Sequence, residues 1–224
     1  MSRPLALGVL VSGSGTNLQA ILDAVARRTL DGRVCVVVSN RAGVGALERA
    51  TRAGVANEVV SHKGFASREA FDAHLVERLR AHGVDTVVLA GFMRIVTPVL
   101  LRAFPERVVN VHPSLLPAFP GVDAQAQALA AGVRVAGCTV HFVDEGTDTG
   151  PILVQAAVPV WDGDTVDSLR ARILGMEHRV LPRALQWIAE GRVHRDGRSV
   201  RVDGAQASFA VASPDVGGQE SSGP

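Results

Sequence analysis

The sequence predicts an α/β fold in which helices cover both faces of one mostly parallel, twisted sheet. Short apolar runs alternate along the chain with segments whose apolar residues recur at helical spacing. The apolar runs are nearly continuous, which is typical of strands that are buried on both faces. The chain has 224 residues, of which 47% are hydrophobic, and this suits one sizeable domain.

The amino-terminal part of the chain predicts strands and helices in strict alternation. The strands are Leu5–Ser12, Arg33–Ser39, the weaker Ala56–Ser61 and Val84–Ala90, the last being apolar enough to lie near the centre of the sheet. The first helix has an apolar stripe of Leu18, Ile21, Leu22 and Val25, and the second covers Val44–Ala53 before Gly54. Ser67 is the expected N-cap of the third helix, whose Phe71, Leu75 and Leu79 share a face and which ends at Gly83.

The carboxyl-terminal part predicts further strands, two helices and a hairpin. The elements are a strand over Val108–His112, a short helix near Gln125–Ala131, strands at Cys138–Val143 and Ile152–Val160, and a long helix to about Ala189 that Asp164 or Thr165 caps. Pro182 should kink or break that helix. The turn signal R-D-G-R within Val193–Val202 predicts a hairpin. We expect one domain over residues 1–204 and a poorly ordered polar tail over residues 205–224.

Asn110 and His112 interrupt the apolar strand V-V-N-V-H two residues apart, so both side chains should project from one face. Pro113 and Pro117 stop the strand directly after this pair. An amide and an imidazole at the carboxyl end of a strand can polarise a carbonyl and deliver a proton. The alternative is a polar pair that only closes the strand.

Two loops could complete a site around this pair. The loop V-S-G-S-G-T-N joins the first strand to the first helix, where close backbone approach and helix amides favour an anion. It matches a dinucleotide fingerprint poorly, because Leu18 stands where the third glycine should be, so we expect a cradle for one phosphate. The alternative is a simple glycine turn. The acidic loop Asp144–Pro151 could supply a carboxylate partner for an imidazolium.

Composition excludes several classes of function. The formal net charge is +1, so nothing suggests a nucleic-acid or membrane partner. Lys63 is the only lysine, which leaves almost no candidate for Schiff-base chemistry. Cys35 and Cys138 lie in expected strands as free thiols, which fits a reducing cytoplasm. The apolar run Leu5–Val11 is too short for a membrane span.

These motifs together resemble the folate-dependent formyltransferases, over about Leu7 to Arg192. The resemblance lies in the segments S-G-S-G-T-N-L-Q-A-I, S-N-R-A, S-R-E-A-F-D, V-V-L-A-G-F-M-R-I, N-V-H-P-S-L-L-P, G-C-T-V-H-F-V, D-T-G-P-I-L and M-E-H. The N-x-H-P-S-L-L-P segment is shared across that family, so it indicates the chemistry but not the acceptor. The glycine loop and M-E-H are similar to those of the members that act on 5′-phosphoribosylglycinamide (GAR).

The resemblance implies a Rossmann-like formyltransferase fold and a set of site residues. The catalytic residues would be Asn110, His112 and Asp148, the last preferred to Asp144 because it stands before the family's x-G-P. GAR would be bound by Gly15, Thr16, Asn17 and Glu177. Folate would be bound by Arg68, Met93, Arg94, Ile95, Val96, Asn110, Val143 and Asp144. Apart from the resemblance, His141 on the segment T-V-H-F-V could face the same cleft and support the catalytic residues, or it could be only a buried, hydrogen-bonded histidine. The peptide bond Leu116–Pro117 would be cis, and the segment Gly121–Gln125 lacks histidines that some members carry there.

The implied reaction is transfer of the formyl group of 10-formyltetrahydrofolate, the co-substrate, to the amine of GAR in de novo purine biosynthesis. Asn110 and His112 would stabilise charge on the formyl oxygen, and His112 would move a proton while Asp148 orients its ring. No metal is expected, although His112, His141 and Asp148 could together suit zinc. We expect small-molecule substrates, no nucleic acid, no membrane, a cytoplasmic location, and a monomer or homodimer.

Three alternatives stay open. The chain could be a methionyl-tRNA formyltransferase or a formyltetrahydrofolate hydrolase, but these normally carry an extra carboxyl-terminal or amino-terminal domain, for which we expect no room here. It could be a nucleotide-dependent oxidoreductase, which the broken glycine fingerprint disfavours. It could also be a binding module without catalysis, which the intact Asn110, His112 and Asp148 disfavour.

Overall fold

The computed structural model describes residues 4–205 and contains one large sheet, six α-helices and a terminal hairpin within that range. The strands are β1 (Leu5–Val11), β2 (Gly32–Ser39), β3 (Asn57–Val59), β4 (Thr86–Leu89), β5 (Val108–His112), β6 (Val135–Phe142), β7 (Ile152–Pro159), β8 (Val193–Asp196) and β9 (Ser199–Val202). The helices are α1 (Thr16–Ala26), α2 (Gly45–Arg52), α3 (Arg68–Ala81), α4 (Pro98–Ala103), α5 (Ala124–Ala130) and α6 (Val166–Ala189).

The large sheet has the order β3-β2-β1-β4-β5-β6-β7. The first five strands in this order are parallel, whereas β6 and β7 run antiparallel to their neighbours. Strands β8 and β9 form the separate carboxyl-terminal hairpin. The predicted fold class, a mostly parallel sheet with a terminal hairpin, is therefore confirmed.

Helices cover both faces of the sheet, as the buried apolar clusters show. One cluster joins β1 to α1, α2 and α6 through residues such as Val9, Ile21 and Leu185. A second cluster joins the opposite face to α3 and α4 through residues such as Leu75 and Leu100. Because all seven residues of β1 are buried, the strand lies in the centre of these two layers.

Local signals explain where the helices begin. The Ser67 hydroxyl accepts a hydrogen bond from the Ala70 N–H at the start of α3, as predicted. Thr165 caps α6 in a capping box with Ser168. Pro182 lies inside α6, which continues from Val166 to Ala189, so of the predicted kink or break at this proline the break does not occur.

The order of the strands creates a crevice at the carboxyl ends of the central strands β1 and β4. The chain passes from β1 to β2 on one side and later to β4 on the other, so the loops that leave β1 and β4 diverge. Ligands of open α/β sheets bind at such a switch point, outside the carboxyl ends of the strands. The Ser12 N–H donates to the Gly91 carbonyl at 3.0 Å and joins the two loops at the base of this crevice.

Three details differ from the sequence-based expectations. The third strand is only Asn57–Val59, and α4 was not predicted. Cys35 is half-buried rather than fully buried, whereas Cys138 is buried as expected. Part of the expected tail, residues 206–224, lies outside the described residues. Among residues 4–205, no helix combines the length and apolar character needed to cross a membrane.

Candidate active site

Strand β5 presents Asn110 and His112 at its carboxyl end, between two neighbouring strands. Asn110 is in register with Leu89 of β4 and with His141 of β6. The ring of His112 is buried, while Asn110 keeps partial exposure. Both side chains lie at the carboxyl end of β5, next to the strand whose loop diverges from that of β1.

Asp148 reaches this pair from the loop between β6 and β7. Its Oδ2 lies 3.3 Å from Nδ1 of His112, and its Oδ1 lies 3.4 Å from Nδ2 of Asn110. Asp148 has a φ of 55°, in the left-handed region that Asp and Asn tolerate better than most residues. The structure therefore brings together the three side chains that the sequence singled out, although they are 38 positions apart at most.

The other ring nitrogen of His112 meets a backbone group that the sequence did not identify. Nε2 lies 2.9 Å from the carbonyl oxygen of Phe119. Because a carbonyl oxygen can only accept, Nε2 must carry a hydrogen and donate it. The nitrogen that can gain or lose a proton is therefore Nδ1, which faces Asp148.

A hydrogen-bond donor and nearby histidines stabilise the Asp148 carboxylate. The Gly121 N–H donates to Oδ2 at 2.8 Å, and Nε2 of His141 lies 3.7 Å from Oδ1. Burial by itself would raise the pKa of Asp148, but His141, the Gly121 N–H and the charge of His112 together lower the pKa below its usual value. Asp148 is therefore an anion at neutral pH, next to His112.

His141 lies directly behind Asn110, in the supporting position expected for it. Its Nδ1 lies 3.0 Å from the Phe142 carbonyl oxygen, and its Nε2 lies 3.1 Å from Nδ2 of Asn110. By the same argument as for His112, Nδ1 donates to the carbonyl, and Nε2 faces both the Asn110 amide and Oδ1 of Asp148. The Asn110 amide therefore contacts His141 at 3.1 Å and Asp148 at the longer distance of 3.4 Å.

The glycine loop lies at the start of α1, where the sequence places a phosphate cradle. Gly15 has a φ of 74° and immediately precedes Thr16 and Asn17. Nδ2 of Asn17 donates to Oε2 of Glu177 at 2.6 Å, so α6 and the loop meet through two buried side chains. Burial raises the pKa of Glu177, and the bond from Asn17 opposes this only in part. The four residues predicted for GAR are therefore neighbours.

The loop that follows β4 carries four of the eight residues predicted for folate, Met93 to Val96. Met93 and Ile95 are 61% and 52% exposed, which is unusual for large apolar side chains. The guanidinium of Arg94 lies 5.3 Å from the ring centroid of Phe71. Val96 instead packs into the core between the sheet and α3, so it can offer a ligand only its backbone.

The remaining residues predicted for folate lie on other elements, and of these Val143 packs in the same apolar cluster as Val96. Arg68 is exposed at the start of α3, and Val143 is half-buried against β5. Oδ1 of Asp144 accepts from the Thr149 hydroxyl at 2.6 Å and from the Gly146 N–H at 3.1 Å. Asp144 thus shapes its own loop, whereas Asp148 reaches His112.

Sequence reasoning missed the polar contacts that fix these loops to each other. The Ser12 hydroxyl donates to Oδ1 of Asn40 at 2.6 Å and accepts from the Met93 N–H at 2.9 Å. The buried carboxylate of Asp72 accepts from the Thr97 N–H at 2.5 Å. Ser12 and Asn40 stand in quoted motifs, but their partners are distant in the chain and leave no local signal.

The site offers groups for acid–base chemistry and anion binding rather than an arrangement of metal ligands. Within residues 4–205, no group of three or more His, Cys, Asp or Glu side chains is placed to hold a metal ion. A carboxylate, an imidazole and an amide around one point can stabilise negative charge on an oxygen and move a proton.

Comparison with known proteins gives consistent matches. The family model described as Formyl transferase matches residues 6–185. The chain is 43% identical over 196 residues to phosphoribosylglycinamide formyltransferase of Escherichia coli, covering 88% of this chain and 92% of that protein. It is 51% identical over 187 residues to the trifunctional purine biosynthetic protein adenosine-3 of Drosophila melanogaster, covering 83% of this chain but only 14% of that protein. The crystal structure of glycinamide ribonucleotide transformylase 1 from Symbiobacterium toebii superposes with a TM-score of 0.89 at 58% identity, covering 90% of this chain and 95% of that one.

Proposed function

The chain belongs to the formyl transferase family, and from that premise we propose that it transfers the formyl group of 10-formyltetrahydrofolate to the amine of GAR. The products are formylglycinamide ribonucleotide and tetrahydrofolate, in de novo purine biosynthesis. The observation that carries the proposal is the convergence of Asn110, His112 and Asp148 on one point at the carboxyl end of β5. The Escherichia coli relative, named for this activity, matches over nearly its whole length and so supports the choice of acceptor.

Asn110 stabilises the oxygen on which negative charge develops when the amine adds to the formyl carbon. Its amide lies 3.1 Å from Nε2 of His141, a contact that fixes the orientation of the group. Its contact with Asp148 is longer, at 3.4 Å, so an amide hydrogen can turn to the oxyanion. One preorganised donor of this kind contributes about 3–4 kcal/mol to the transition state.

His112 carries the proton from the attacking amine to the departing folate nitrogen. The Phe119 carbonyl holds the hydrogen on Nε2, so Nδ1 is the atom that exchanges the proton. Asp148, 3.3 Å from Nδ1, orients the ring and stabilises its charged form. General acid–base catalysis of this kind contributes about 10²- to 10⁴-fold.

Each substrate has its own part of the crevice in this proposal. Gly15, Thr16 and Asn17 hold the phosphate of GAR, and Glu177 lies beside the rest of that substrate. The exposed Met93 and Ile95 flank the folate, together with Arg94, Arg68 and the loop that carries Asp144. We expect a cytoplasmic monomer or homodimer that needs no metal and no nucleic acid.

The direct experiment supplies 10-formyltetrahydrofolate and GAR and follows both products. We expect formylated GAR by mass spectrometry, with tetrahydrofolate formed in equal amount by absorbance. Tetrahydrofolate without GAR would indicate a hydrolase, and formylation of methionyl-tRNA instead of GAR would indicate a different acceptor. Retention of formyl groups on folate in every mixture would contradict the proposal.

A further inference from the structure

The glycine loop rests on helix α2, which no part of the proposed mechanism uses. The Ala46 N–H donates to the Gly13 carbonyl at 3.2 Å. A Cβ at Gly15 would lie 2.6 Å from Cα of Ala46, so the loop and the helix approach as closely as their backbones allow. The first turn of α2 therefore forms the surface on which the loop lies.

Arg49, one turn further along α2, joins this helix to the loop and to α1. Its Nε donates to the Ser14 carbonyl at 2.9 Å, and its Nη1 donates to Oε1 of Gln19 at 3.2 Å. Gln19 in turn donates to Oδ1 of Asp23 at 2.8 Å. The planar guanidinium thus makes two directed contacts, one on each side of the start of α1.

The charge of Arg49 is not neutralised by a contact. Among residues 4–205, no carboxylate lies within 4.0 Å of its guanidinium. Arg49 lines a surface pocket of about 260 Å³. The other lining residues are Thr16, Gln19, Ala20, Asp23, Arg27 and His178. Burial and the charge of Arg49 lower the pKa of His178, so the pocket carries two arginines against one carboxylate at neutral pH.

One buried side chain at the start of α1 lacks a hydrogen-bond partner for its oxygen. Asn17 is 8% exposed, and its Oδ1 has no hydrogen-bond partner within the described structure. A buried, unpartnered acceptor costs free energy unless a ligand or water satisfies it. The Asn17 oxygen can therefore accept from a hydroxyl or amine of the substrate but not bind its phosphate, whereas Thr16 and Arg49 line the pocket.

We propose that Arg49 is a positioning residue for the phosphate of the amine substrate. It holds the Ser14 carbonyl so that the amides of the glycine loop point toward the phosphate, and it supplies the uncompensated positive charge that favours a phosphate monoester dianion. This inference rests on the proposed function and adds to it the residue that makes recognition depend on the phosphate.

The test compares GAR with the corresponding nucleoside that lacks the 5′-phosphate, in wild type, Arg49→Met and Arg52→Met. Arg49→Met should lower kcat/KM for GAR by about tenfold or more, because a charge-assisted contact is lost. Arg49→Met should change kcat/KM for the nucleoside by less than about twofold, since that substrate has no phosphate for Arg49 to stabilise. Arg52 lies on the same helix, 65% exposed and facing Glu48, so Arg52→Met should change neither value. Equal losses on both substrates, or no loss on GAR, would overturn the proposal.

A binding measurement separates this inference from the proposed function. Calorimetry with ribose 5-phosphate needs no catalysis, and Arg49→Met should weaken binding about tenfold. Binding that depends on Arg49 in a chain that does not formylate GAR would sustain the inference and reject the function. If the chain formylates GAR but Arg49→Met binds ribose 5-phosphate as tightly as wild type, the function would be sustained and the inference about Arg49 rejected. If Arg49→Met does not fold, Arg49→Lys is measured in its place and should show a smaller loss in the same direction, whereas no loss would count against the proposal.

Discussion

At the scale of single residues, the Asp148 carboxylate is the group on which the other polar groups of the site converge. His112 and Asn110 approach its two oxygens, and the Gly121 N–H donates to one of them. A buried carboxylate is costly unless such partners compensate for lost hydration. Its charge is therefore a property of the assembled site.

Asp148→Asn tests the need for that charge. Asn tolerates the left-handed backbone at this position, so the variant should fold, whereas a neutral amide cannot stabilise a charged imidazole. We expect kcat to fall by about 10²-fold or more, with little change in folate affinity. Steady-state kinetics measure both, and Asp162→Asn, at a side chain that is 92% exposed, is the control. Unchanged kcat in Asp148→Asn would contradict the assignment.

The sequence identified the side chains of the site but not the backbone groups that orient them. Asn110, His112 and Asp148 were predicted because their types and motifs indicate chemistry. The Phe119 carbonyl and the Gly121 N–H were not, since every residue except proline has both groups and no sequence pattern marks the ones that are used. Only the structure could therefore show that Nδ1, rather than Nε2, is the nitrogen of His112 that can exchange a proton.

At the scale of elements, the contact between the glycine loop and α2 sets the shape of the proposed phosphate cradle. Gly15 combines a φ of 74° with a backbone approach that leaves no room for a side chain. Gly13, two residues earlier in the same loop, has open space where a side chain would begin, with no atom within 4 Å of a Cβ at that position. The two glycines of one motif therefore have different roles in stability.

Gly15→Ala should lower the free energy of unfolding by about 2 kcal/mol or more, because strain at positive φ adds to a steric clash with α2. Gly13→Ala should change it by less than about 0.5 kcal/mol. Urea titrations of both variants and wild type give the comparison. Equal losses for the two variants would show that the contact with α2 is not what requires glycine at position 15.

An ion pair between Glu58 and Arg78 joins the edge strand β3 to α3, and the strength of this ion pair should depend on pH. Arg78 donates to both oxygens of Glu58 at 2.8 and 2.7 Å. The hydrogen bonds from Arg78, followed by the contact with His82, lower the pKa of Glu58 to about 2. The folded state therefore binds the Glu58 proton more weakly than the unfolded state does, so the contact stabilises at neutral pH and is lost as the pH falls from 4.5 toward about 2.

Glu58→Gln should therefore be less stable than wild type at neutral pH by about 1 kcal/mol, since the pair is partly exposed. The difference should shrink as the pH falls below about 4.5, where wild type begins to lose the same contact. Urea unfolding over a pH series measures it. Glu48→Gln, at an exposed side chain 3.9 Å from Arg52, should show no such trend. A difference that does not vary with pH would contradict the ionic origin of the effect.

Most elements could be predicted because their periodicity and caps are local properties of the sequence. Ser67 and Thr165 cap their helices as their residue types indicate. The exceptions are short or decided by neighbours: α4 has only six residues, and β3 pairs with β2 through only three positions. Tertiary contacts rather than local propensity determine such elements.

At the scale of the whole molecule, two apolar layers hold the loops of the site in place. Helices α1 and α6 pack together on one face, and they carry Asn17 and Glu177 to their contact. Helices α3 and α4 pack on the other face and support the loop that follows β4. Burial of these layers therefore fixes the distance between the two proposed substrate positions.

Leu185→Ala tests whether α6 is part of the apolar core, since Leu185 is fully buried where α6 meets the sheet. We expect a loss of about 2–5 kcal/mol in the free energy of unfolding from the cavity that remains. Val59→Ala, on the exposed edge strand, should cost less than about 1 kcal/mol. Denaturant unfolding of the two variants decides it, and a similar cost for both would argue against α6 as part of the core.

The central claim is that His112 moves the proton in a formyl transfer to GAR. The measurement that tests it most directly is the kcat of His112→Ala with 10-formyltetrahydrofolate and GAR, together with its folate dissociation constant, beside His194→Ala on the exposed hairpin. We expect kcat to fall by about 10²- to 10⁴-fold while folate affinity stays within about threefold, and His194→Ala to behave as wild type. Normal kcat in His112→Ala with lost folate affinity would contradict it.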